Sequence, residues 1–253
     1  MYAAERQQRI IEQARGDGRV EVASMAAALG VTPETVRRDL TILERHGVLR
    51  RVHGGAIPLE NLGFEPRLAV RQERYTAEKE RIAKRALDEL PAEGTVLIDA
   101  GSTTQLLAEN LPYDRELTVV TNSVPVAAAV AGRDNLTLYV VGGRVRGRTM
   151  AAVGEWATHV LAGVAVDVAF LGTNGLSVRR GLTTPDQDEA ASKRAMAAAS
   201  RRAVVLCDHS KIGTDHFAQF AALDDIDTVI TDSDLDDETA AEIEAAGPTV
   251  VQA

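Results

Sequence analysis

Between residues 77 and 253, short β-branched runs alternate with helical stretches, and this alternation constrains the fold more than any other feature of the chain. The runs TVLIDA, LTVVTNS, LTLYVVGG, VDVAFLG, AVVLCD and TVIT are interleaved with GSTTQLLAENL, SVPVAAAVAG, GEWATHVLAG and DEAASKRAMAAAS. Strands this continuously apolar cannot leave one face in water. They imply an α/β fold with a mostly parallel sheet covered by helices on both sides. A helix over Ala77 to Leu90 is expected to lead into it.

The first sixty residues follow a different rule. AAERQQRIIEQARGDG puts Ile10, Ile11 and Ala14 at helical spacing before Gly16 and Gly18, so residues 3 to 15 read as a helix. RVEV is a short extended piece, and ASMAAALG is a short helix stopped by Gly30. Thr32 is suited to cap the next helix and Pro33 to open it, after which Val36, Leu40 and Leu43 recur on one face up to Gly47. Two short helices joined through a glycine turn form a helix-turn-helix. VLRRVHGGAI then reads as a hairpin turning at Gly54-Gly55 and returning through Ile57. Residues 57–75 hold two prolines and no clear period. The expected division is therefore a winged helix-turn-helix over 1–57, a linker over 58–76 and a larger domain over 77–253.

Charge separates the same parts. Residues 1–60 carry nine Arg and eight Asp/Glu, net +1, whereas the remainder carries 19 basic and 29 acidic residues, net -10. An acidic body repels nucleic acid, so any DNA contact belongs to the N-terminal part. A single cysteine, Cys207, makes no internal disulfide, and its apolar flanks suit a buried inert thiol. The N-terminus has charges where a signal peptide needs an apolar core, and no window reaches the ~18 apolar residues of a membrane span. The expected compartment is the cytoplasm, with no membrane partner.

Arg37 and Arg38 lie off the apolar face of the third helix, near its N-terminal half. In a helix-turn-helix that half enters the major groove, where arginine bonds guanine in bidentate fashion or pairs with phosphate. Thr32, Glu34 and Thr35 share that end. Arg50, Arg51 and His53 fit a wing on the DNA backbone or minor groove. Taken alone, an arginine pair reads better as a solvated helix face partly neutralised by Asp39 and Glu44; joined to a capped helix, a turn helix and a basic hairpin, it reads as a grip on double-stranded operator DNA.

The larger domain has its own polar set. LIDAGSTTQLLAENL is a strand, a turn through Asp99 and Gly101, and a helix start bearing Ser102, Thr103 and Thr104, hydroxyls that either cap the helix or hold a phosphate at its N-terminus. Thr121, Asn122 and Ser123 end the next strand, and Gly142 and Gly143 the one after. Small polar strand ends converging at the C-terminal edge of a parallel sheet form a ligand crevice. Neither G-x-G-x-x-G nor G-x-x-x-x-G-K-[ST] occurs, so no dinucleotide, P-loop nucleotide or other cofactor is expected. Asp186 and Glu189 precede a helix that carries Lys193 at i+4 from Glu189, the spacing of a surface ion pair. Lys211, just past a strand end, is a cation for a phosphate or sugar oxygen. Arg144, Arg146 and Arg148 follow Gly143 on an expected loop, as solvated charge or as a ligand clamp. Asp208, His209, Asp215 and His216 cluster in sequence without a metal-ligand motif, and no metal is expected.

The stretch from Glu5 to Ala56 resembles the winged helix-turn-helix of the DeoR-type bacterial repressors, whose V-R-R-D-L and G-x-L-x-R-x-H-G-G-A signatures stand here at Val36 to Leu40 and Gly47 to Ala56. IDAGSTT, TNS, VGG, GLTTPDQDEAASKRAM and DHSKIG match that family's effector domain in order, with Ile212 a minor departure in the last. The resemblance covers nearly the whole chain. It implies an effector fold similar to sugar-phosphate isomerases and deaminases, a phosphorylated sugar as effector (fructose 1-phosphate among the candidates), and hydroxyl recognition by Asp186, Glu189 and Lys193. It also implies a homodimer or homotetramer that reads paired half-sites, with a sugar phosphate altering how the DNA-reading heads are set through the linker. The competing reading is a working isomerase or deaminase with an accessory DNA-binding module; it needs a base placed on a C–H beside a carbonyl, whereas sensing needs hydrogen bonds only. A fused DNA-reading domain suits a sensor, so the expectation is a repressor of carbohydrate-metabolism genes rather than an enzyme.

Overall fold

The computed structural model describes residues 3–45, 48–52, 54–58 and 65–253. The chain divides into two compact units, residues 1–71 and 72–253.

In the first unit, α1 (Ala3–Asp17), β1 (Val20–Glu21), α2 (Val22–Leu29), α3 (Pro33–Arg45), β2 (Leu49–Val52) and β3 (Gly55–Pro58) follow in order. Helix α1 runs through Gly16 and stops only at Gly18, whose φ of 72° suits the left-handed turn. Helix α2 ends on Gly30 at φ 64°, and the Gly30 N–H closes onto Ala26 and Ala27 carbonyls. Thr32 then caps α3, its Oγ1 accepting from the Thr35 N–H at 3.2 Å. The three strands order as β1-β3-β2, antiparallel throughout. Gly55 is required there: a Cβ would stand 1.9 Å from the Val20 carbonyl oxygen. Ile10, Val22, Met25, Val36, Leu40, Leu43, Leu49 and Ala56 form the core of this unit.

Helix α4 (Leu68–Gln72) lies where the sequence shows no period. Helix α5 (Thr76–Ala86) is shorter than expected, its last turn tightening into a 3₁₀ turn over Leu87–Glu89. The second unit continues through β4 (Gly94–Ile98), α6 (Ser102–Glu109), β5 (Leu117–Thr121), α7 (Val124–Val130), β6 (Leu136–Val140), β7 (Arg144–Arg146), β8 (Ala151–Val153), α8 (Glu155–Leu161), β9 (Val166–Gly172), β10 (Gly175–Ser177), β11 (Gly181–Thr184), α9 (Gln187–Ala199), β12 (Ser200–Leu206), β13 (Ala218–Ala221), β14 (Thr228–Thr231), α10 (Asp237–Ala245) and β15 (Thr249–Gln252).

Seven strands form one fully parallel sheet in the order β15-β14-β12-β9-β4-β5-β6. Successive residues of a strand face opposite sides, so Leu97 joins one core with α8, α9 and α10 while Val96 and Ile98 join the other with α5, α6 and α7. This two-sided burial is the reason the strand sequences run apolar without alternation. Two small antiparallel sheets, β10-β11-β13 and β7-β8, lie outside the main sheet. The chain leaves β4 toward β5 and β6, then returns to the other side of β4 as β9. The order therefore reverses between β4 and β9, the place where parallel α/β sheets open a crevice.

Candidate functional site

The first unit presents α3. Val36, Leu40 and Leu43 are buried, while Arg37 and Arg38 are exposed. Asp39, expected to neutralise this arginine face, is instead buried and turned toward α1: Arg6 Nε donates to its Oδ2 at 2.5 Å, and Gln7 Nε2 donates to its Oδ1 at 3.1 Å. Glu44 is drawn the other way, accepting the Arg51 N–H at 2.8 Å. Both carboxylates are engaged in building the unit, and no described carboxylate lies within ion-pair distance of Arg38 or Arg50. Arg37 is held by Glu34 at 3.2 Å, an exposed i, i+3 pair that orients more than it stabilises. The Thr32 and Thr35 hydroxyls bond each other at 2.9 Å. On the wing, Arg50 is exposed and Arg51 Nη1 donates to Thr41 Oγ1 of α3 at 3.1 Å, tying the hairpin to the helix. His53 lies outside the described residues.

In the second unit a buried charged network forms where the order reverses. Asp99, which follows β4, is 1% exposed, and its Oδ2 accepts the Gly172 N–H from the end of β9 at 3.0 Å. Lys193 of α9 donates to the same Asp99 oxygen and to the Gly172 carbonyl at 2.9 Å. The spacing of Glu189 and Lys193 suggests a surface pair, yet both are buried and the direct partner of Lys193 is Asp99. Glu189 Oε1 takes Arg146 Nη1 at 2.5 Å and the Thr149 hydroxyl, and its Oε2 accepts from Thr184 Oγ1 at 3.4 Å. Burial opposes charge on Glu189. The Lys193 and Arg146 charges and the Thr149 and Arg146 hydrogen bonds outweigh it, so the carboxyl is held below its ordinary range. Asp186 caps α9 by accepting the Glu189 N–H at 3.0 Å, and it also pairs with Arg146 Nε at 3.2 Å.

Arg144 and Arg146 therefore do not lie on a loop. They occupy β7 and reach across to the start of α9, with Arg144 meeting Asp188 at 2.6 Å; Arg148 is in the turn that follows. Beside Asp99, Gly101 leads into α6, where Ser102, Thr103 and Thr104 are buried in the first turn and Thr104 Oγ1 donates to the Gly101 carbonyl at 3.2 Å.

Other expected residues are engaged in framing this network. Thr121 Oγ1 donates to the Ile98 carbonyl at 2.6 Å, and Asn122 Nδ2 donates to the Ala152 carbonyl at 3.1 Å, leaving Asn122 Oδ1 buried without a partner. Ser123 caps α7. Gly143, at φ 146°, passes so close to β8 that a Cβ would stand 2.8 Å from the Val153 carbonyl oxygen, and Gly142 borders a separate groove with Trp156. Lys211 sits on a 3₁₀ turn after β12. The sequence reading missed Gly172, Thr149 and Thr184; the small polar run GTN after β9 was the available signal for the first.

The sequence cluster Asp208, His209, Asp215 and His216 does not assemble as such. Asp215 binds Ser177 Oγ at 2.6 Å and Arg179 at 2.5 Å. His209 Nδ1 meets Asp232 Oδ1 at 2.8 Å with Asp234 nearby, and the His209 N–H donates to Asp232 Oδ2 at 2.8 Å, so the end of β12 is fastened to that of β14. Cys207 is buried, and burial followed by the Asp208 charge pushes its thiol well above the ordinary range. Among the described residues, no helix is long and apolar enough to cross a membrane.

A winged helix-turn-helix with outward arginines, carried on a chain whose second unit is a parallel α/β fold with a buried charged network at its switch point, defines a DNA-binding transcriptional regulator. Comparison with known proteins agrees. Residues 6–61 match the DeoR-like helix-turn-helix domain and residues 74–233 the DeoR C-terminal sensor domain. The chain is 42% identical over 252 residues to the HTH-type transcriptional regulator GlpR of Haloferax volcanii, covering 99% of this chain and 98% of that protein. It is 30% identical over 233 residues to the glycerol-3-phosphate regulon repressor of Escherichia coli, covering 92% of each. Among solved structures, ribose 5-phosphate isomerase A from Neisseria gonorrhoeae aligns with 54% of this chain and 53% of its own, at 18% identity and a TM-score of 0.40. The chain belongs to the DeoR family of transcriptional regulators.

Proposed function

We propose that this regulator is a repressor of carbohydrate-metabolism genes whose hold on operator DNA is set by a phosphorylated sugar in the sensor unit. Arg37 and Arg38 read or clamp the major groove, while Arg50 and Arg51 fix the wing on the backbone. The phosphate is assigned to the first turn of α6, where the Ser102 and Thr103 hydroxyls and free helix N–H groups favour an anion. The start of α9 is unsuited to it, because Asp186, Asp188 and Glu189 already fill that end with negative charge. Sugar hydroxyls then fall to the Asp99, Lys193 and Glu189 network.

The observation that carries sensing over chemistry is the state of Glu189. A base for enediol formation needs a free carboxylate near the substrate and a pKa raised toward neutrality. Glu189 is bonded by Arg146, Thr149 and Thr184, and its pKa is lowered. The name of the Escherichia coli relative, a glycerol-3-phosphate regulon repressor, supports the direction of control and a link to the metabolism of small phosphorylated compounds.

A gel-shift titration of operator fragments with fructose 1-phosphate, glycerol 3-phosphate and hexose phosphates tests this reading. Operator affinity is expected to fall at least tenfold with one of them, a coupling of about 1.4 kcal/mol. Unchanged affinity with all of them overturns the effector assignment. Turnover of a sugar phosphate that disappears in Glu189→Gln would establish the enzyme reading instead.

A further inference from the structure

The sensor sheet ends in an edge that no described strand covers. Strand β6 pairs only with β5 among the described residues, so its outer row of N–H and C=O groups is open. Its sequence, LTLYV, has none of the lysines, prolines or inward charges that usually blunt a sheet edge. Tyr139 is 61% exposed and Val140 57%. Tyr139 lies opposite Val120, which packs in the core beneath α8, so Tyr139 faces the α8 side of the sheet. On that side α8 turns Ala157 and Leu161 inward and leaves Trp156 79% exposed beside a groove of about 480 Å³ bordered by Gly142, His159 and Val160. An open ladder and an aromatic-lined groove thus share one edge.

We propose that β6 pairs antiparallel with β6 of a second copy, joining two seven-stranded sheets across a two-fold axis and closing the Trp156 groove of each. The choice of a second copy rests on the proposed function, since helix-turn-helix proteins read paired half-sites as dimers. Three further observations fit it. A strand edge is self-complementary under a two-fold axis, so each residue that pairs with a partner is paired by it in return. Antiparallel pairing brings Asp134, just before β6, toward Arg144 of the partner subunit, just after it, and does so twice; both residues are exposed, and Arg144, held by Asp188 of its own chain at 2.6 Å, is oriented to take a second carboxylate. Trp and Tyr side chains bury about 150–250 Å² each, so Trp156 and Tyr139 supply a large part of the ~800 Å² per partner of a standard interface.

The test is a cysteine scan along β6 in the full chain, which is clean because the only native cysteine, Cys207, is buried. Under mild oxidation, single substitutions from Leu136→Cys to Val140→Cys should give a disulfide dimer with a sharp maximum at the residue on the axis. Val250→Cys, on the opposite edge, should give none. Tyr139→Lys should weaken self-association at least tenfold by sedimentation while the circular dichroism stays unchanged. Dilution of the wild type should shift the emission of Trp156, the sole tryptophan, to longer wavelength. A wild type that is monomeric at micromolar concentration, or a dimer that survives Tyr139→Lys and yields no cross-link along β6, overturns the inference. A sugar-phosphate-sensitive gel shift from such a protein would leave the functional reading standing. Cross-linked β6 dimers that bind no DNA would do the reverse.

Discussion

The two units place their cations in opposite environments. In the first, Arg38 and Arg50 stand in water, while the acids that could neutralise them, Asp39 and Glu44, are turned aside onto Arg6 and the Arg51 backbone. In the second, Lys193 and the Arg146 side chain are almost out of solvent and bonded to carboxylates. The ligands explain the difference. A polyanion approaches from outside and is held by charges that release counterions, so those charges must stay exposed. A small polar ligand is recognised by groups fixed before it arrives, and a fixed buried charge needs a partner. The same residue types therefore make a surface in one unit and a scaffold in the other.

Lys193→Ala gives the largest expected effect, because it leaves Asp99 charged, buried and unpaired. A loss of about 3–5 kcal/mol is expected for the sensor unit. Urea unfolding of the full chain followed by circular dichroism reads this loss. A loss below ~1 kcal/mol would mean that the buried pair is not the scaffold described. The double variant Arg37→Ala, Arg38→Ala is the counterpart in the exposed class. At about 1–3 kcal/mol for each good arginine contact, specific operator affinity should drop at least about thirtyfold while the unfolding curve followed by circular dichroism stays in place. An affinity within threefold of wild type would remove these arginines from the interface.

Arg50→Ala should act more gently and without regard to sequence. If Arg50 meets only phosphate, specific and nonspecific binding weaken together and the salt dependence loses about one unit of slope. A change confined to the specific operator would mean that the wing reads bases.

The sequence showed the first unit almost completely, because each of its elements carries a local signal. Gly30 ends α2, Thr32 caps α3, and Gly54-Gly55 turns the hairpin. The six apolar strands of the large sheet were equally legible. The seventh, β15 with TVVQ, was not, although TVIT of the same length was; the strands of the two small sheets, RVR, AAV, GLS, GLTT and AQFA, carry no β-branched run longer than the threonine pair of GLTT. The buried network was half legible. Small polar residues after strands marked Asp99 to Thr104, but the partners of Lys193 and Glu189 are set by pairings across 94 and 43 residues that no local pattern encodes. The i, i+4 spacing of Glu189 and Lys193 pointed to a surface bridge because spacing reports only which groups share a helix face; burial decides what that face meets.

The smallest effect expected concerns the proton on Glu189, and it sharpens the contrast because an exposed carboxylate would not produce it. The folded pKa of Glu189 is lowered from its ordinary value by Lys193, Arg146 and the Thr149 and Arg146 hydrogen bonds, against the opposing pull of burial. A lowered carboxylate adds stability that is fully present above its unfolded pKa of about 4.3 and is lost as the pH falls through the folded value. The unfolding temperature followed by circular dichroism should therefore decline as the pH drops below about 5. In Glu189→Gln the protein starts from a lower unfolding temperature, since Arg146 loses one of its two carboxylate partners, but it declines less steeply over the same range. Asp232, lowered despite burial through its bonds from His209, titrates in both proteins together with the lowered Asp215 and Asp236, so a slope remains in the variant. Parallel curves for the two proteins would show that Glu189 is not charged against the buried cations, and the scaffold would then rest on the Asp99 and Lys193 pair alone.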